Sequence, residues 1–312
     1  MPQSYIINVY FYNFVVRFID INMKFRTEIS VPAGNFKISH ACKIAMQGSC
    51  FVENMADKLL NAGFSVDLNP FGIAYNPLSL SQNLNRLLDN NPFHAGELFK
   101  DNDNIYHSFS HHSRFSGIDP NEALEKINSG MSQSLGFLRT AGLLIVTFGT
   151  AFVYRLQSTG KVVSNCHKLP AKLFTYNRLS IEAIVGEWND LIVRLQTFNP
   201  SLRIMFTVSP VRHWKNGAHE NQLSKSILLL AIEEFLRIRP QCFYFPAYEI
   251  VLDDLRDYRF YSEDMLHPSS QAIDYIWDKF KAAWFDDETL KKAHEFERIN
   301  KALNHIPIIK MT

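Results

Sequence analysis

The segment AGLLIVTFG, residues Ala141–Gly149, constrains the fold more than any other stretch of the chain. It is apolar almost throughout, shows no alternation of period two, and stops at a glycine. A strand that is apolar on both faces belongs in the middle of a parallel sheet covered by helices on each side. Four further runs read as strands: CKIAMQG (Cys42–Gly48), FSVDLNPFG (Phe64–Gly72), LRIMFTVSP (Leu202–Pro210) and QCFYFPA (Gln241–Ala247). Between them, helical periodicity is expected over Phe51–Ala62, Leu78–Leu88, Pro120–Leu138, Leu179–Phe198 and Asn221–Ile238, with Ser269–Trp284 and Thr289–Leu303 closing the chain. Parallel strands require crossover connections. The expected fold is therefore α/β: a three-layer α/β/α sandwich around a doubly wound, mostly parallel five-stranded sheet.

One domain is expected over residues 23–312. The first 22 residues, MPQSYIINVYFYNFVVRFIDIN, are apolar and aromatic, but Asn8, Asn13, Arg17 and Asp20 interrupt the run before it reaches the ~18 residues of a membrane span. They lack the basic start and small-residue cleavage site of a signal peptide, and Met23 reads as a natural start. Residues 1–22 are expected to form no part of the fold; the competing reading is an uncleaved membrane anchor. Residues 91–118 read as an insertion that packs on the core, since aromatic residues run through an Asn-, His-, Ser- and Asp-rich stretch. With 32 basic against 31 acidic side chains, the chain lacks the basic excess of a nucleic-acid binder. Four cysteines without a CxxC pair point to reduced thiols and a cytoplasmic location.

In an open parallel sheet, sites form beyond the carboxyl ends of the strands. Those ends carry Gly48-Ser49-Cys50, Asn69–Gly72, Gly149-Thr150, Ser209–Arg212 and the segment after Ala247. Ser49 sits between a strand and a helix, where unpaired N–H groups and the positive end of the helix dipole can stabilise an oxyanion. It reads either as a nucleophile or as a helix N-cap, with Cys50 beside it as a small packing residue. In YSEDMLHPSS, Asp264 and His267 stand three residues apart before a helix, so the carboxylate can hold one imidazole nitrogen and leave the other to face a nucleophile; the plainer reading is a surface capping turn. His167 and Lys168 either orient substrate or belong to a solvated loop. Arg212 either binds a substrate carboxylate or phosphate or makes a structural ion pair. His107, His111 and His112 have no Cys or carboxylate at ligand spacing, so no metal is assigned, and a substrate lid is the functional expectation for that insertion.

A strand-end Gly-x-Ser, an α/β sandwich and a late Asp-x-x-His resemble the layout of the SGNH (GDSL-like) hydrolases, a flavodoxin-like fold. More closely, GSCFVENMADKL, NPFGIAYNPLS, TFGTAFVYR, NCHKLP, SPVRHWKNGAHENQLSKSIL and FPAYEIVLDDLRDYRFYSEDMLHPS resemble the GSCFA-domain proteins, over roughly Phe25 to His305. The family's name is matched by Gly48-Ser49-Cys50-Phe51, with Val52 where the name has Ala. The resemblance implies Ser49 as nucleophile, His267 as base and Asp264 as its orienting acid. It implies Gly72 as an oxyanion donor, and Thr150 or Asn165 in place of an asparagine missing from Phe148-Gly149-Thr150-Ala151. It further implies a cofactor-free serine esterase acting on a small-molecule or glycan ester, with neither nucleic acid nor membrane as partner. The alternatives are an acyltransferase on the same triad and a non-catalytic binding module.

Overall fold

In the computed structural model, residues 26–303 are described; the expectation for residues 1–22 lies outside them. The chain enters the sheet at β1 (Ile44–Gly48), turns into α1 (Cys50–Asn61), and returns as the short β2 (Val66–Leu68) and α2 (Pro77–Leu88). A hairpin of β3 (Leu98–Lys100) and β4 (Tyr106–Ser108) precedes α3 (Pro120–Thr140) and the central strand β5 (Leu143–Phe148). A three-stranded antiparallel sheet with β6 in the middle follows: β6 (Phe152–Leu156), β7 (Val162–Val163) and β8 (Phe174–Arg178). Next come α4 (Ile181–Phe198), β9 (Arg203–Val208), α5 (Gly217–Ile238), β10 (Cys242–Tyr244), the short α6 (Ala247–Glu249), α7 (Ser270–Trp284) and α8 (Asp287–Leu303).

The five long-range strands pair in parallel in the order β10-β9-β5-β1-β2. Renumbered among themselves, this is the flavodoxin-like 2-1-3-4-5 order, whose switch point lies between β1 and β5. The expected three-layer sandwich is therefore present. The strand pleat explains it: Leu144, Val146 and Phe148 of β5 pack with α2, α3, α4 and α5, whereas Leu143 and Ile145 pack with α1 and α7. Both faces of β5 are buried, which is why its sequence is apolar without alternation. On the first face, Phe148, Trp188, Phe206 and Phe235 form an aromatic cluster with centroid separations of 5.0–5.6 Å among neighbouring rings, and each fully buried ring contributes roughly 1.5–3 kcal/mol.

Helix boundaries follow their capping chemistry. Asp119 accepts from the Asn121 N–H at the start of α3, as its position before Pro120 implies. Gly63, at φ +85°, supplies the left-handed residue past the end of α1. Two differences stand out. The run Phe64–Gly72 yields three strand residues, because Asn69 turns left-handed (φ +46°) and Pro70 follows it. The hairpin and the β7-β6-β8 sheet do not emerge from the hydrophobic pattern, since their strands are short and partly exposed. In that sheet Tyr154 and Phe152 each lie against Tyr176, at 4.5 and 4.9 Å, while Val153, Val162, Val163 and Phe174 are buried. No helix among the described residues is long and apolar enough to cross a membrane.

Candidate active site

The carboxyl ends of β1 and β5 meet where Gly48 pairs with Thr147. Gly48 has φ +150°, and a Cβ there would lie 2.4 Å from the Thr147 carbonyl oxygen, so the two strands approach more closely than a side chain allows. Asn69 fixes the turn from the other side: its side-chain oxygen accepts the Gly48 N–H at 2.9 Å in a buried position. Asn69→Leu would leave that N–H without a partner. It is expected to lower stability by about 1–3 kcal/mol, measured by denaturant unfolding.

The turn separates the two candidate nucleophiles. Ser49 is the N-cap of α1, but its side chain makes no capping hydrogen bond. It is 1% exposed, and its hydroxyl is buried without a partner. Its Cβ is packed close to Gly149 of the β5 end. Cys50, the first helical residue, is half-buried. Burial pushes its thiol pKa up, and Glu53 adds to this; its own N–H, the Phe51 N–H and the Lys225 charge act in the opposite direction. Tyr75 borders the same thiol and, with its phenol partly buried, has its pKa raised. The Tyr75 carbonyl accepts the N–H groups of Gly149 and Thr150 at 2.7 and 2.9 Å, which ties the loop after β2 to the end of β5.

Lys225 of α5 completes this floor. It is 1% exposed, and its ammonium donates to Gly149 O at 2.7 Å and Ser209 O at 2.6 Å, joining the ends of β5 and β9. Burial pushes its pKa down to about 7, opposed by Cys50. Its Nζ also lies 5.5 Å from the Tyr248 ring centroid. The sequence places Asn69 at a strand end but assigns it no role, and it does not single out Lys225 or Tyr75. The signal for Lys225 is present in the helix: with Asn221, Ser224, Leu228, Ala231, Ile232 and Phe235 it falls on the buried stripe, where a lysine breaks the pattern.

Asp264 and His267 occupy a tight loop. The Ser262 N–H donates to His267 O at 2.7 Å, Tyr261 bridges Pro268, and Met265 takes the left-handed conformation (φ +59°). One Asp264 oxygen accepts the N–H groups of Leu266 and His267, and the other lies 2.5 Å from His267 Nδ1. These bonds, led by the His267 N–H, pull the Asp264 carboxyl down to about 2. Both side chains are nearly half exposed, and His267 Nε2 has no hydrogen-bond partner among the described residues. Arg212 anchors the loop to the end of β9 through Leu266 O (3.0 Å, from its backbone N–H) and Met265 O (3.1 Å, from its guanidinium). The same guanidinium lies 3.9 Å from the Trp214 ring centroid. Beside the loop opens a cleft of about 740 Å³ lined by Arg212, Trp214, Asn221, Tyr248, Tyr258 and Tyr261.

The remaining sequence candidates are committed elsewhere. The Gly72 N–H donates to Asn69 O at 2.7 Å. The Thr150 hydroxyl lies between Ser224 Oγ and the Phe152 N–H, in a buried position. The Asn165 amide donates to Ser113 Oγ, and its carbonyl accepts the His167 N–H. Each of the three therefore has an internal hydrogen-bond partner, although the Asn165 amide keeps a second N–H. The donors left at the turn are the Cys50 and Phe51 N–H groups, which open α1 and have no i−4 partner. His167 contacts Ser108 O through Nε2 (2.8 Å) and packs on His107 at 4.5 Å, within the hairpin insertion.

A parallel α/β sandwich with an Asp–His pair and a helix N-terminus at its carboxyl edge defines the class of this protein. A family model described as the GSCFA family matches residues 43–280, and the chain belongs to that family. No curated protein matches the sequence. Among solved structures, the chain is similar to a family 3 carbohydrate esterase of Clostridium thermocellum (10% identity, 82% of this chain and 98% of that one, TM-score 0.37). It is likewise similar to a family 3 carbohydrate esterase of Talaromyces cellulolyticus (6%, 81% and 99%, 0.37) and a GDSL-like lipase of Bacteroides thetaiotaomicron (10%, 77% and 86%, 0.38).

Proposed function

We propose that this protein is an acyl hydrolase that cleaves a small acyl ester carried on a glycan or related molecule. The observation that carries the reading is the His267 imidazole, fixed through Nδ1 by Asp264 and left with a free Nε2, on a loop whose Tyr261 lines an open cleft. A base so held takes the proton of a nucleophile and returns it to the leaving alcohol. The turn Gly48-Ser49-Cys50 supplies the nucleophile, and the N–H groups opening α1 supply the oxyanion donors. The cleft suits a glycan ester. Trp214 and Tyr258 are exposed large apolar side chains on which a sugar ring can lie, and Arg212 offers donors beside them.

Trp214→Ala is expected to raise KM for an O-acetylated oligosaccharide about tenfold, the worth of ~1.4 kcal/mol of binding. KM for p-nitrophenyl acetate, which has no sugar, is expected to stay near that of the wild type. Steady-state kinetics on both esters tests the reading, and no turnover of either by the wild type contradicts it. The second reading, a binding module without turnover, is favoured by the commitment of Gly72, Thr150 and Asn165 to internal bonds.

A further inference from the structure

We infer that the nucleophile of this site is the Cys50 thiol and not the Ser49 hydroxyl. The inference rests on the acyl-hydrolase reading and deepens it. Several observations converge. Ser49 is closed off, with 1% of its surface exposed and its Cβ against Gly149. It occupies the cap position at φ −72° and ψ 175°, so its extended backbone still follows the strand. Cys50 is the first residue of α1 and is half-buried. It stands at the positive end of a twelve-residue helix, where its own N–H and that of Phe51 favour the thiolate. The third position of the Gly-x-Ser pattern, counted from Gly48, is also Cys50.

The surroundings pull on the thiol in both directions. Desolvation dominates and keeps the sulfur protonated, so it needs a base at the moment of attack. Lys225, whose cationic end is held at the ends of β5 and β9, and the helix N-terminus act the other way and favour the thiolate, the reactive form of cysteine. Ser49 is less accessible: its hydroxyl is buried without a hydrogen-bond partner.

The chemistry balances without a co-reactant other than water. His267 Nε2 takes the thiol proton as sulfur bonds to the ester carbonyl carbon, and the carbonyl electron pair moves onto oxygen. Collapse breaks the carbon–alkoxy bond, and the departing alkoxide takes the proton from His267. A water then gives its proton to His267 as its oxygen bonds to the thioester carbon. Collapse expels the sulfur, which recovers the proton, and the carboxylic acid leaves.

The test joins variants with a measurement on the wild type. In Cys50→Ala, p-nitrophenyl acetate turnover is expected to fall on the order of 10³-fold or more, whereas Ser49→Ala retains turnover. Rapid quench of the wild type should show an acyl group on the peptide carrying Cys50, released by neutral hydroxylamine as a thioester is and an oxygen ester is not. Iodoacetamide should inactivate the wild type in step with alkylation of Cys50, and substrate should slow both. Activity lost in Ser49→Ala but kept in Cys50→Ala, or an acyl group resistant to neutral hydroxylamine, overturns the inference and leaves the hydrolase reading in place. Absence of turnover and of any acyl adduct in the wild type overturns both.

Discussion

His267→Ala is expected to lower kcat for ester hydrolysis by roughly 10²–10⁴, the range that a positioned general base contributes. The fold should be unaffected, because the imidazole is nearly half exposed and its one side-chain hydrogen bond is to Asp264, itself on the surface. Asp264→Asn is expected to lower kcat as well, since it removes the carboxylate that holds Nδ1 and so releases the tautomer that keeps the Nε2 lone pair free. With its carboxyl held near 2, Asp264 stays ionised throughout the range in which the protein is assayed, so it adds no step to a pH–rate profile taken near neutrality.

Gly48→Ala should produce the largest loss of stability of any single change at the site. An alanine Cβ would sit 2.4 Å from the Thr147 carbonyl oxygen and 2.9 Å from its nitrogen, both backbone atoms of the adjacent central strand. The residue would also have to hold φ +150°. Neither strand can retreat, because Met46 and Ile145 lock one face of the pair and Val146 and Phe148 the other. Strain and overpacking together are expected to cost about 2–5 kcal/mol. Thermal unfolding by circular dichroism checks this, with a clear drop in Tm expected. By contrast, Gly136→Ala in α3, where a Cβ meets nothing within 4 Å, should not lower Tm.

Much of this architecture can be read from the residues themselves. β1, β5 and β9 are buried on both faces, so their apolar runs mark the centre of the sheet, and the helices between them carry a periodic buried stripe. The Asp264–His267 pair is legible as well, since a separation of three residues in a tight loop brings carboxylate and ring together without help from distant contacts. What is not legible depends on packing between elements remote in sequence. The choice between Ser49 and Cys50 depends on which of two adjacent side chains Gly149 seals off. The commitment of Thr150 depends on Ser224 of α5, which lies 74 residues away. Lys225 is visible as an oddity on a buried helix face, but its targets, Gly149 O and Ser209 O, exist only once β5 and β9 lie side by side. The β7-β6-β8 sheet is missed because its strands are short and only Val153, Val162, Val163 and Phe174 of their residues are buried, too few to set up a periodic pattern.

The central claim is that a nucleophile at the β1–α1 turn, served by His267, forms a covalent acyl-enzyme. Stopped-flow hydrolysis of p-nitrophenyl acetate tests it most directly. The account predicts a rapid burst of about one p-nitrophenol per enzyme molecule followed by slower turnover, with the burst slowed in His267→Ala. Ester hydrolysis that proceeds without an acyl adduct at any residue of the turn, or a burst unchanged in His267→Ala, would contradict it.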